Sequence, residues 1–290
     1  MSEAIKNRYD FVFLFDVKDG NPNGDPDQVN LPRADAEDQR GLVTDVCIKR
    51  KIRNFVMLEK SKRVDEYDPE DRFDIFIRQG QVLNSVIDSA SGEKIPERQR
   101  SLADRYYDIR TFGAVLSTGE KGAGTIRGPV QFTFSRSEDR IFQAEHSITR
   151  CAVTTEDDAK KQENREFAST FGRKSTVPYA MYRMHGFVSA VDAAKTKFSE
   201  EDLKLLWKSL INAFEHDRAA GRGEMNPRKL VIFKHSSHLG NELSGRLFER
   251  VTVTKKADLP RSKDDYLIEV IKEQLPSGIE VKVWPEEAVY

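Results

Sequence analysis

The stretch YDFVFLFDV, Tyr9 to Val17, decides the architecture. It is apolar on both alternating faces. A strand solvated on one face would alternate apolar with polar residues, so this one belongs at the centre of a sheet covered on both sides. Working outward, residues 18–43 are rich in Pro, Gly, Asn and Asp and read as a long loop without a regular element of its own. DVCIKRKIRNF, Asp45 to Phe55, follows with Thr44 as its expected N-cap and Asp45 at the positive end of the helix dipole. Ile48, Ile52, Phe55 and Val56 fall at i, i+4, i+7 and i+8, one apolar face of a helix reaching about Leu58. Lys49, Arg50 and Arg53 are expected beside that face, pointing outward.

The remaining chain reads as strands and helices in mixed order. FDIFI, Phe73 to Ile77, alternates like a strand. Asn84 to Arg100 reads as a polar, irregular excursion. LADRYYDIRTFGAVLS, Leu102 to Ser117, reads as a helix, and VQFTFS with QAEHSITRCAV as a strand pair. Thr154 to Thr176 is polar, highly charged and flanked by strands. YAMYRMHGFVSAV returns as a strand, and Ser199 with Asp202 forms a capping box for a helix through about His216. LVIFKH, ERVTVT and IEVKVW read as late strands, DDYLIEVIKEQL as a last helix. The sum is α+β, a single domain over 1–290 with one sheet and helices on one side, on a ferredoxin-like βαββαβ plan carrying insertions.

Composition narrows the function. The chain has 47 Lys+Arg against 48 Asp+Glu, a net charge of −1. No global field attracts a polyanion, so nucleic-acid binding needs a local patch. There is no apolar run long enough to span a bilayer and no apolar leader segment, which points to a cytoplasmic protein. Two cysteines, Cys47 and Cys151, without a CxxC pair, offer neither a disulfide framework nor a cysteine zinc site.

Each motif has a plain alternative. Asp19 to Asn30 nearly follows an EF-hand loop, but Asn30 stands where calcium needs a bidentate carboxylate. It reads equally as a chain of Asx and proline turns, or as a glycine-containing loop beside a ligand. Gly119 to Gly128 fits neither phosphate-loop pattern and reads as a flexible turn. His235 and His238 have metal-ligand spacing but no third ligand. No nucleophile elbow or paired carboxylate stands out, so no cofactor and no catalytic or metal-binding residue is expected. The basic helix is the exception. Lys49, Arg50, Lys51 and Arg53 show no Glu at i−4 or i+4, and unpartnered cations side by side call for an anion such as a phosphate backbone.

FVFLFDVKDGNPNGDPD followed by LVTDVCIKRKIRN resembles the backbone subunit of the type I-C CRISPR surveillance complex, the Cascade RAMP protein of the Csd subtype. YYDIRTFGAVL, TIRGPVQF, STVPYAMYRMHGFVSA and NPRKLVIF extend the resemblance over most of the chain. It implies a hand-shaped protein: an RRM-like palm, a finger insertion over Asn84 to Arg100 and a β-hairpin thumb over Cys151 to Pro178. It implies that copies line up in a helical filament on one CRISPR RNA and present it for pairing with target DNA. The other Cascade subunits, an RNA-processing RAMP subunit, a large subunit and a small subunit, are the implied partners. The RNA-facing residues map onto Lys49, Arg50 and Arg53 of the helix and Asn21, Asn23 and Gly24 of the loop. Lys18, Arg150, Arg173, Lys174 and Arg183 complete the expected RNA-binding set. Two other classes stay open: a RAMP-type endoribonuclease with His146 or His185 as general base, and a calcium-dependent interaction module on Asp19 to Asn30.

Overall fold

The computed structural model describes residues 3–149, 152–153, 155–163 and 171–290. In chain order the strands are β1 Tyr9–Gly20, β2 Gly24–Asp25, β3 Leu31–Pro32, β4 Arg40–Val43, β5 Gly113–Leu116, β6 Gly124–Arg127, β7 Val130–Phe132 and β8 Ser135–Arg140. They continue with β9 Ala144–Thr149, β10 Phe171–Val188, β11 Glu224–His235, β12 Val251–Lys255, β13 Tyr266–Val270 and β14 Ile279–Trp284. The helices are α1 Asp45–Glu59, α2 Leu83–Asp88, α3 Ile95–Arg105, α4 Tyr107–Phe112, α5 Glu156–Glu163, α6 Ala190–Thr196, α7 Glu200–Ile211 and α8 Ser244–Phe248.

The main sheet runs β14-β11-β1-β10-β8-β4, with β7 and β9 also paired to β10. Its ladders are antiparallel. β1 lies between β10 and β11, and all nine residues from Tyr9 to Val17 are buried, as expected for a strand covered on both sides. Its odd positions Phe11, Phe13, Phe15 and Val17 pack with Ile48, Ile52, Phe55 and Val56 of α1 and Leu203, Leu206, Trp207 and Leu210 of α7. Each aromatic ring buried there contributes about 1.5–3 kcal/mol relative to exposure. Its even positions Val12 and Leu14 meet a second cluster with Leu247 and Phe248 of α8 and Val251 and Tyr266 of the β12–β13 hairpin. The long helices thus share one face, and a hairpin with one short helix covers the other.

Several segments differ from their sequence reading. Asn84 to Arg100 is not irregular: α2 and most of α3 lie there. Val86, Ile87, Leu102, Ala103, Tyr106, Ile109 and Leu116 form a third core of their own. The expected helix Leu102 to Ser117 breaks at Tyr106, which takes extended dihedrals, and ends at Gly113 with φ 80°. It continues as β5, paired with β6. FDIFI makes one isolated bridge, Asp74 to Tyr106, rather than a strand. Residues 18–43 carry the short β2–β3 ladder and β4. Among the described residues the VQFTFS and QAEHSITRCAV segments do not pair with one another; both pair with β10. DDYLIEVIKEQL forms β13, not a helix. The α7 capping box is present, Ser199 accepting from Asp202 N–H and Asp202 from Ser199 N–H. Among the described residues, no helix is long and apolar enough to cross a membrane.

Candidate nucleic-acid interface

The end of β1, the loop behind it and the start of α1 are tied into one surface. A side chain at Gly20 would collide with the Arg222 carbonyl oxygen, so glycine lets the two backbones meet. Asn21 N–H donates to Gly221 O at 2.8 Å, and Asn21 Nδ2 to Asn30 O at 2.7 Å. Asn23 Oδ1 accepts from both Thr44 N–H (3.0 Å) and Thr44 Oγ1 (2.9 Å). Thr44 Oγ1 in turn accepts from Cys47 N–H at 3.3 Å, the expected N-cap. A chain of bonds therefore runs from the loop through the cap into the helix, fixing where α1 starts. Gly24 abuts the Asn30 side chain and leaves no room for a larger residue.

The cations of α1 are not bare. Lys49 Nζ lies 3.0 Å from Asp45 Oδ2 and 5.4 Å from the Phe112 ring centroid. Lys51, 1% exposed at its side chain, is paired with Asp217 and lies 5.5 Å from the Phe214 ring centroid. Arg53 Nε lies 2.7 Å from Asp108 Oδ2, and Asp108 also accepts from the Phe76 and Ile77 N–H groups at 2.8 and 3.0 Å. Arg50 alone of the four is exposed, without a carboxylate partner among the described residues. This corrects the expectation of four unpartnered cations. Asp45 was visible at i−4 of Lys49. Asp217 and Asp108, at 166 and 55 residues' separation, were not.

Arg222 was missed. Its Nε lies 3.2 Å from Asp217 Oδ2 and its Nη1 3.5 Å from Pro22 O, so it shares the acid that holds Lys51 and borders the loop. Cys47 Sγ lies 3.6 Å from the same Pro22 O. Burial pushes its thiol up, against the opposing pull of Lys51 and Arg222, so the sulfur stays a protonated, poor nucleophile.

The other expected contact residues fall elsewhere. Arg183 pairs across the sheet with Leu14, and Lys18 with Tyr179, so both lie on the face opposite α1. Arg183 is bonded to Glu138 at 2.7 Å. The structure thus does not join Lys18 and Arg183 to the α1 surface. Arg173 and Lys174 stand on the β9–β10 arm, opposite Ser147 and His146, with Arg173 3.9 Å from Glu145. Arg150 lies outside the described residues, as do Cys151, Thr154 and residues 164–170 of the expected thumb.

The two candidate bases are far apart. His146 is opposite Lys174 and His185 opposite Val12, so eleven positions of β10 separate them, about 36 Å at strand rise. His185 stacks on Phe248 at 4.2 Å, and burial, with Arg183 nearby, pushes its pKa down to about 4. His235 accepts from Asn241 N–H at 2.8 Å and reaches Asp10 at 3.0 Å, a buried structural pair. In the Asp19–Asn30 loop, Asp25 is engaged by Arg33 at 3.3 Å and caps Asp27 N–H. Among the described residues no three His, Cys, Asp or Glu side chains are grouped to hold a metal.

The family model for CRISPR-associated protein Cas7 matches residues 7–271. The chain belongs to the Cas7 family. A Cas7 protein of Haloferax volcanii is similar at 25% identity over 237 residues, 71% of this chain and 65% of that protein. The chain thus spans slightly under two thirds of that curated relative's length. Among solved structures, a chain of a CRISPR RNA-guided surveillance complex described as pre-nicking is similar at 12% identity and TM-score 0.48, with 78% of each chain covered. A chain of another CRISPR RNA-guided surveillance complex is similar at 12% identity and TM-score 0.42, covering 78% of this chain and 68% of that one.

Proposed function

We propose that this Cas7-family chain is a non-catalytic backbone subunit that grips CRISPR RNA by its phosphates and assembles side by side with further copies. The reading is carried by the family match over residues 7–271. The surface at the start of α1 gives it a location. A loop fixed by hydrogen bonds sets the start of α1, which presents the exposed Arg50 next to the partly covered Lys49, while Arg222 borders the loop, on a chain whose net charge is −1. A local cationic surface is what binding by backbone and shape requires. The sheet order β11-β1-β10-β8, with α1 after β1 and α7 between β10 and β11, supports a ferredoxin-like, RRM-like palm. The third core, about α2 to β6, is the proposed finger, and the arm of β9 with Phe171–Thr176 belongs to the proposed thumb. Membership of a type I-C complex, with its RNA-processing, large and small subunits and with target DNA met through the guide, completes the proposal.

The test is purification from cells that express a matching CRISPR array. The protein should carry RNA of discrete length on a denaturing gel and run as an assembly of many copies. A chain that elutes free of nucleic acid and shifts no single-stranded RNA at low salt would sink the proposal. Cleavage of repeat RNA by the isolated chain, lost in His146→Ala or His185→Ala, would establish the endoribonuclease instead.

A further inference from the structure

At the other end of the sheet lies a cleft of about 380 Å³ between α3, β6 and the end of α6. β1 runs from Tyr9, opposite Val188, to Gly20, opposite Val177. The Asn21–Gly24 loop therefore follows the end of β1 that lies beside Val177, while α6, which starts at Ala190, follows the far end of β10. Eleven strand residues, about 36 Å, separate them.

Among its lining residues are Arg100, Arg127, Lys195 and Lys197, and among the described residues no carboxylate lines it. Asp192 is the nearby acid; it holds Lys195 at 2.9 Å and Arg127 at 3.4 Å. Arg100 and Lys197 have no carboxylate partner among the described residues. Thr196, also in the lining, is 3% exposed, and its Oγ1 has no hydrogen-bond partner. A buried hydroxyl left unpaired costs about 1–3 kcal/mol. Gln99 Nε2 donates to Ala123 O at 2.8 Å and Thr125 O at 3.2 Å, so the α3 and β6 walls are fixed relative to one another.

The negative end of the α6 dipole accounts for Lys195 and Lys197. It does not account for Arg100 and Arg127, which other elements bring to the same cleft, nor for the unpaired hydroxyl. We infer that this cleft is a second phosphate-binding site, distinct from the α1 surface, that takes the phosphodiester backbone of a polynucleotide. Three elements converge their cations on a concave site, as phosphate recognition requires.

The test is Arg100→Ala/Lys197→Ala, which removes the two unpaired cations and leaves the Asp192 pairs in place. Arg100→Lys/Lys197→Arg is the charge-keeping control, and Arg50→Ala reports separately on α1. Fluorescence anisotropy at several salt concentrations reads binding of labelled single-stranded RNA and of labelled duplex DNA. Loss of both cations should weaken binding about tenfold in at least one arm. The salt slope should fall by about 1.4 for single strands or 1.8 for duplex, two contacts' worth. The arm that changes identifies the strand. The control should bind like the wild type. Unchanged affinity and slope in both arms for the double-alanine variant, with its melting temperature intact, would overturn the inference. So would a loss no larger than that of the charge-keeping control.

Discussion

Replacing Asp217 with alanine isolates what the carboxylate does beneath α1. Lys51 is 1% exposed at its side chain, and Asp217 is the carboxylate paired with it; the Phe214 ring is the other group close to its ammonium. Stranding a buried charge by removing its partner costs about 3–5 kcal/mol. Unfolding entropy of about 2.1 cal/mol/K per residue gives roughly 0.6 kcal/mol/K for 290 residues unfolding as one unit. The melting temperature should therefore fall by about 5–8 °C. Lys51→Met should cost less in charge, because Arg222 still neutralises Asp217 at 3.2 Å. Lys51→Met/Asp217→Ala places an apolar chain of similar length where the ammonium lay, and should recover most of the loss. Differential scanning calorimetry on the four proteins at neutral pH closes the cycle. If Asp217→Ala melts within 1 °C of wild type, Lys51 is not held by this acid. If the double variant is no better than Asp217→Ala, burial of the unpaired ammonium is not the source of the loss.

Arg50→Ala should weaken single-stranded RNA binding and lower the salt slope by roughly 0.7 with no change in melting temperature beyond about 1 °C, since the side chain is exposed; an unchanged slope would make α1 a plain solvated helix. Arg53→Ala should behave oppositely, lowering thermal stability by at least about 2 kcal/mol because it leaves Asp108, 1% exposed, with only two backbone N–H donors in denaturant melts. His185 is held below its ordinary 6.5, at about 4, so the unfolded chain takes up the proton first. Its share of stability is complete above pH 6.5 and is lost as pH falls toward 4. Melts from pH 7 to 4.5 should show a shallower decline for His185→Phe than for wild type, and equal slopes would contradict the assignment.

The two elements that carry the proposed surface were legible because their signals are local. Thr44 caps α1, and Ile48, Ile52, Phe55 and Val56 are buried, as their spacing dictates. β1 is apolar on both faces because both are packed. What failed depends on distant partners. Tyr266 to Val270 offers a helical spacing of apolar residues, but Val251 and Val253 stand opposite Val270 and Ile268, and cross-strand pairing wins. FDIFI has strand character, yet the Asp108 carboxylate, not a neighbouring strand, takes the N–H groups of Phe76 and Ile77. The charges of α1 were legible as positions but not as availability. That depends on Asp108 and Asp217, which only the fold brings near.

The 18 residues of β10 have a mechanical consequence. One strand belongs at its first six residues to the arm with β9 and at its later ones to the centre of the sheet beside β1. The two parts meet at Pro178, which has no N–H to give and falls between the Val177–Gly20 and Tyr179–Lys18 pairs, opposite Asp19 at φ 51°. The β9 ladder ends at Thr176, just before it. The arm can therefore change its angle at this one residue while the central ladder stays closed, and a partner that holds the arm spends part of its binding free energy on fixing that angle.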